Sequence, residues 1–443
     1  MSASTEDFVA RPSKRFFIEM FTRDISLVDC ILDLVDNSVH SAISVEDFDV
    51  TAKLFKGQDI KLRSRAEIDL IFDGDQFTIK DNCHGMSYEL AKNYVFRFGS
   101  PLPPDKRSGL GVYGIGLKRA IFKMGKSIQI TSCTGGERWS LPILVDEWVK
   151  DEEDWNFHNS THEVFTSGVA QKSETVIQVQ MLDRLISELF KLASFINELT
   201  EKLSWTYALY IKAGVVIRVN GIVVKPEAPR VSVSRADTSS PYRKVGSEGD
   251  VDYDIVSGIL DERDTTLGGW YVYCNGRMVV KADRSSTTGW GIDLPQFHVK
   301  FYRFVGYVFF SSRNLEALPW TTSKQGVNAD NAAYRSAFGV MMAAARPVLS
   351  DIDSRYRGMS TEEAEDSKPE SDVSSVQLDE LPAIDTTYLS YHRTKPRDIV
   401  NVQYKARLSE VQAVKDAEEN PSLSASAAGR LTFEYYLARE AQE

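Results

Sequence analysis

The sequence predicts an α+β protein: a sheet covered by helices, then a second α+β domain, then a helical tail. Three observations predict it. Residues 25–43 place Ile25, Val28, Leu32, Val35, Val39 and Ala42 three and four apart, the spacing of one buried helical face. Residues 66–72 and 76–80 read as paired strands about an Asp73-Gly74-Asp75 turn. Helical and strand patterns then alternate to about residue 345, broken by a Gly- and Pro-rich stretch at 99–116.

At 443 residues the chain can hold two or three domains with sound cores, and 42% hydrophobic with 26% charged residues is ordinary globular composition. A net charge of -11 argues against a protein that coats nucleic acid, although a local basic groove stays open. Residues 1–12 are polar and lack an apolar signal core, and no stretch reaches membrane-spanning length. The four cysteines (Cys30, Cys83, Cys133, Cys274) form no CxxC pair, so reduced thiols in a cytoplasmic protein are expected. The six histidines form no ligand-spaced cluster for zinc.

In chain order, a short helix at 88–98 leads into the loop 99–116, which opens a helix at 117–124. Residues 127–133 and 137–144 read as a hairpin about Gly135-Gly136, and 174–181 as a further strand. One long helical pattern at 182–211 contains the expected first domain boundary, giving domains at 25–195 and 196–356. Strand regions at 215–224, 269–280 and 301–310 follow, with Asn275-Gly276 as a tight turn, and then a helix at 332–345. Residues 357–382, carrying Glu362, Glu363, Glu365, Asp366, Glu370 and Asp372, read as an acidic disordered linker. In the tail, 383–443, helices are expected at 401–418 and 427–442, the second bearing Phe433, Tyr435, Tyr436 and Leu437.

Another face of the helix at 25–43 carries Asp29, Asp33, Asp36, Asn37 and His40. Alone, it would read as a solvated acidic face. Gly109-Leu110-Gly111-Val112-Tyr113-Gly114 matches GxGxxG, but a dinucleotide fingerprint must follow a buried strand directly. Here it follows Pro-Leu-Pro-Pro-Asp-Lys-Arg-Ser, which cannot be one, and no P-loop occurs. These glycines can still cradle phosphate with backbone N–H groups at a helix start, with Lys118 just inside it; a ligand-free structural loop is the alternative.

Three segments in order carry a more specific signal: Asp33-x-x-x-Asn37 on a helix, Asp81-Asn82-Cys83-His84-Gly85-Met86 after a strand, and Gly111-Val112-Tyr113-Gly114-Ile115-Gly116-Leu117-Lys118 opening a helix. Together they resemble the GHKL ATPase superfamily of gyrase, the heat-shock chaperone, histidine kinases and MutL. The nearest likeness is to MORC-type proteins and their bacterial relatives. The resemblance implies a Bergerat-fold α/β sandwich at 25–195, holding ATP under a mobile lid at about 99–111. By that resemblance Asn37 would coordinate Mg2+, Asp81 would accept from the adenine amino group, and Gly85 and Met86 would line the adenine pocket. Gly111, Gly114 and Gly116 would wrap the phosphates, with Ser100, Gly109, Val112, Tyr113, Ile115 and Leu117 beside them, and Lys118 would pair with phosphate charge. Thr175 would help hold the adenine-side aspartate.

Asp33 would be the general base, although the hydrolysing relatives usually carry Glu there, whose arm is about 1.5 Å longer by one carbon–carbon bond. His40 stands where relatives often have Asp, and Cys83 replaces the first glycine of their Asp-x-Gly-x-Gly. Leu318-Pro319-Trp320-Thr321-Thr322-Ser323-Lys324-Gln325 resembles the loop by which a transducer domain of ribosomal-protein-like fold inserts a lysine at the γ-phosphate, which would be Lys324. Tyr273-Cys274-Asn275-Gly276-Arg277 resembles a strand-turn of that domain, expected at 196–356.

The expected function is an ATPase that closes as a homodimer on nucleotide binding, through the N-terminal segment 1–24, to act on DNA or on a partner such as a nuclease. Family analogy points to anti-phage defence. The alternative is a nucleotide-sensing scaffold with little turnover. A lesser one is a histidine kinase, but no dimerising helix with a phosphoacceptor histidine precedes the domain.

Overall fold

The strand patterns predict a sheet with one dry face, and the computed structural model contains one. It describes residues 12–43, 65–98, 115–166, 171–227, 231–234, 241–260, 265–356, 373–376 and 405–440. In β1 (Glu67–Phe72) and β2 (Gln76–Asp81), Ile68, Leu70, Phe72, Phe77 and Ile79 are buried. Further strands are β3 (Gly125–Cys133), β4 (Glu137–Leu144), β5 (Thr161–Val164), β6 (Glu174–Leu182), β7 (Val216–Val219) and β8 (Ile222–Val223). The sheet runs β5-β4-β3-β6-β2-β1-β7-β8, antiparallel except for the β1–β7 pair.

Against it lie α1 (Lys14–Arg23), α2 (Leu27–Ala42) and α3 (Gly116–Met124). The Ser26 hydroxyl caps α2, accepting from the Asp29 N–H at 3.0 Å. Helix α2 is buried almost all round, Asp33 and Asp36 included, so its acidic stripe is not a solvated surface. Helix α1 was not expected from the sequence. Its Lys14 ammonium donates to the carbonyls of Trp148 (2.7 Å), Asp151 and Asp154, and Phe17 packs edge-on to Phe98. The described part of the 1–24 segment is therefore folded onto its own chain.

The single helix expected at 182–211 is three: α4 (Arg184–Phe190), α5 (Ala193–Thr206) and α6 (Ala208–Lys212). The first break lets Phe190 and Phe195 both reach Phe72, at 4.6 and 6.0 Å between ring centroids. At the second, Tyr207 turns its hydroxyl towards α2. The boundary expected inside this segment does not separate the sheets, because β7 beyond it pairs with β1 and belongs to the first one.

A second sheet has β10 (Tyr242–Glu248), β11 (Val251–Ile259), β12 (Gly269–Cys274), β13 (Arg277–Asp283) and β14 (Phe304–Ser311), in the order β10-β11-β14-β12-β13. The Asn275-Gly276 turn joins β12 to β13 with positive φ at both residues, 49° and 84°. Helix α7 (Ala332–Tyr356) packs on this sheet and runs beyond the expected end at 345, with Pro347 inside it. An internal proline costs about 3 kcal/mol, and burying Val348, Leu349 and Ile352, each worth roughly 1.5–3 kcal/mol, offsets that.

Within the expected disordered linker, β15 (Val373–Val376) pairs antiparallel with β9 (Val231–Ser234). Val373, Ser374, Ser375 and Val376 interrupt the acidic run and carry no charge to oppose pairing. A second compact unit, residues 393–443, contains α8 (Leu408–Ala417) and α9 (Ala425–Glu440), the two helices expected in the tail. No described helix is long and apolar enough to cross a membrane.

Candidate nucleotide site

Polar residues one turn apart on a helix face the same way, and in α2 Asp33 and Asn37 face a cavity of about 570 Å³. That volume lies within the ~300–1,000 Å³ usual for small-molecule sites. Asp33, Asn37, Asp81, Gly85, Met86, Ile115, Gly116, Leu117, Thr175 and Lys324 line it, so the structure brings these expected residues together. Ser100, Gly109, Gly111, Val112, Tyr113 and Gly114, with the expected lid, lie outside the described residues. Met20 and Phe21 of α1 form part of the wall.

One end is organised around Asp81, at the end of β2. Its carboxylate accepts from the Ser38 hydroxyl of α2 at 2.7 Å and from the Cys83 N–H at 3.0 Å. Burial raises its pKa, against the lowering effect of these two hydrogen bonds. Asp81 sits opposite Thr175 in the β2–β6 register. The Ser132 hydroxyl lies 3.1 Å from the Thr175 hydroxyl and accepts from the Met86 N–H at 2.8 Å. Gly85 has φ +70°, and a side chain there would overlap the Cys133 carbonyl, so this turn requires glycine. The result is a carboxylate at the edge of an apolar floor that includes Ile79, Met86 and Ile177.

The other end is charged. Asp33 is 5% exposed and pairs with the guanidinium of Arg119 at 2.6 Å. Burial raises its pKa and the neighbouring Asp36 adds to this, while Lys324 and Arg119 pull the other way. Asp36 is fully buried and accepts from Lys324 Nζ at 2.7 Å, Arg277 Nε at 2.8 Å and the Tyr207 hydroxyl at 2.6 Å. Burial alone would raise its pKa; Arg277 and Lys324 outweigh that and hold it below the usual carboxylate value. Arg277 also donates to the Lys324 carbonyl at 2.7 Å. Lys324 has φ +54°, a conformation costing a non-glycine residue about 1–3 kcal/mol, which these contacts hold in place.

Lys118 is where the expectation and the geometry part. Its ammonium is buried and donates to the carbonyls of Val95 and Arg97, each at 2.7 Å, away from the cavity. Burial pushes its pKa down to about 8. Adjacent helical residues point about 100° apart, from 3.6 residues per turn, so Arg119 faces the cavity instead. Sequence reasoning named Asp36 on the polar helix face without a role in the site, and missed Arg119, Tyr207, Arg277, Ser38 and Ser132 as site residues. Only the Asn275-Gly276-Arg277 turn gave a signal.

Magnesium takes few protein ligands, keeps several waters and binds chiefly through substrate phosphates. Among the described residues no cluster of His, Cys, Asp and Glu could hold a metal by itself. Asn37 is exposed to the cavity one helical turn from Asp33 and its amide oxygen has no hydrogen-bond partner among the described residues, so the site fits an ion held by Asn37 and a bound triphosphate. The ion would draw charge from the phosphates. No curated protein matches the chain. Residues 25–175, which build most of this cavity, match the family model described as histidine kinase-, DNA gyrase B-, and HSP90-like ATPase, and this supports the GHKL superfamily for that segment.

Proposed function

We propose that the chain binds ATP in this cavity and hydrolyses it, and that the γ-phosphate couples the first sheet to the second. The observation that carries the reading is the convergence of Asp33, Asn37 and Asp81 from the first sheet's layer with Lys324 from the second half of the chain. Adenine would lie on the apolar floor with its amino group on Asp81. Asp33 would orient a water and take its proton as the water oxygen bonds the γ-phosphorus and the bond to the bridging oxygen breaks, giving ADP and phosphate. Lys324 would stabilise the charge that builds on the transferred group. The second half of the chain would then be a transducer that senses the triphosphate.

Exchanging Asp81 for Asn presents an amide N–H₂ where the adenine amino group needs an acceptor. ATP affinity is expected to fall about ten- to a hundredfold, from the ~1.5–3 kcal/mol of a charged hydrogen bond. Isothermal titration with ATP checks this, and undiminished affinity contradicts the adenine assignment. Closure as a homodimer is expected with a non-hydrolysable ATP analogue. Light scattering that shows an unchanged monomer overturns that part. ATPase rates with and without DNA test whether DNA is what the switch acts on. A second reading, a nucleotide-sensing scaffold with little turnover, is favoured by the Asp33–Arg119 pair, which ties up the candidate base.

A further inference from the structure

The start of α3 and the side chain of Arg119 form an anion site that the protein's own Asp33 occupies. A carboxylate oxygen of Asp33 lies 2.6 Å from Arg119 Nη2, with the two side chains 5% and 16% exposed. The same carboxylate lies against Gly116, the first residue of α3, where an added Cβ would come 3.0 Å from Asp33 Cγ. The N-cap residue Ile115 makes no side-chain cap hydrogen bond, and the first turn of a helix favours negative charge. Arg119 has spent only part of its donor set: its Nε is buried and has no partner among the described residues. Around this end of the cavity two carboxylates, Asp33 and Asp36, face three cations, Arg119, Arg277 and Lys324. Within this ion-paired cluster the cations outnumber the carboxylates by one, and Asp24 is a further carboxylate on the cavity wall.

Resting on the proposed ATP site, we propose that Arg119 is a triphosphate-sensing positioning residue. In the free protein it clasps Asp33, and the terminal phosphate of a nucleoside triphosphate displaces that carboxylate from the guanidinium and so frees Asp33 to orient water. The chemistry favours the exchange. A terminal phosphate offers three oxygens and greater negative charge to a planar five-donor guanidinium, and so can engage both Nη2 and the unspent Nε. A diphosphate lacks this group and leaves the clasp shut. The base would thus be released only when there is something to hydrolyse.

Two consequences follow that a merely structural ion pair would not produce. First, Arg119→Gln lowers affinity for a non-hydrolysable ATP analogue about tenfold or more and leaves ADP affinity within about twofold, a loss of about 1.4 kcal/mol confined to the triphosphate. Second, Asp33→Asn removes the competing carboxylate and is expected to raise analogue affinity severalfold in the native background but not in an Arg119→Gln background. Isothermal titration of the full chain with the analogue and with ADP reads both, and Arg119→Lys, which keeps the charge, guards against a folding failure of the glutamine variant. Equal losses for analogue and ADP, or the same effect of Asp33→Asn in both backgrounds, overturn the proposal while the ATP site stands. A native protein that binds neither nucleotide overturns the ATP site, and this proposal with it.

Discussion

Replacing Asp36 by alanine is expected to destabilise the protein by about 3–5 kcal/mol, the usual cost of removing one partner from a buried ion pair. The carboxylate is fully buried, and without it Arg277 Nε and Lys324 Nζ would be left as buried cations, while the Tyr207 hydroxyl would keep only the Leu32 carbonyl. Neither cation can retreat easily. Arg277 is 1% exposed and is held at the β12–β13 turn, while Lys324 is 7% exposed and sits in a left-handed conformation that Arg277 itself supports. A fall in the urea midpoint at unchanged slope checks this. The control is Asp330→Ala: that carboxylate is 88% exposed and pairs with an Arg335 that is 66% exposed, so its loss is expected to change stability by no more than about 0.5 kcal/mol. An Asp36→Ala protein no less stable than the control would mean that the two cations find other partners. The same loss should loosen Lys324 and so weaken the response to the γ-phosphate, because one carboxylate holds residues from both halves of the chain.

The sequence could show the elements of the first domain and could not show this cluster, for a physical reason. Helical periodicity, the Asp-Gly-Asp turn and the glycine-rich start of α3 are local patterns, and α2, β1, β2, β3, β4 and α3 lie within a residue or two of where those patterns put them. The ion pairs of Asp36 join it to residues 241 and 288 positions away, a separation no local pattern can encode. Read from its own helix, Asp36 looked like part of a wet acidic face. Lys118 and Arg119 show the same limit at closer range: both are basic and adjacent, and only the helix phase decides that Arg119 meets the cavity while Lys118 meets backbone carbonyls. In the second sheet, β12 and β14 are almost wholly buried apolar strands and were legible. Strand β10, with Arg243, Lys244, Ser247 and Glu248, carries too little apolar alternation to be found. The strand β15 hid inside an acidic run for the same reason.

Asp33→Asn is expected to lower the rate of ATP hydrolysis about 10²–10⁴-fold, the contribution of a positioned general base, without lowering ATP affinity. The question raised by an aspartate in a glutamate's place is one of reach. Glycine at 116 lets the start of α3 lie close to Asp33: a Cβ added there would come 3.0 Å from Asp33 Cγ. On the proposed mechanism Asp33 has to leave Arg119 to meet a water. Its titration gives a second readout. Burial and Asp36 raise the Asp33 pKa, Lys324 and Arg119 lower it, and the balance is upward. The reaction needs the carboxylate, so kcat/KM should hold at alkaline pH and fall as pH drops through a value above the ~3.9 of an unperturbed aspartate. Arg119→Gln removes a lowering influence and should move that acid limb further up the pH scale. A limb that stays where it was would show that another group titrates. Native and Asp33→Asn proteins with the same background-level rate would remove Asp33 from catalysis and leave the nucleotide-sensing scaffold as the better description.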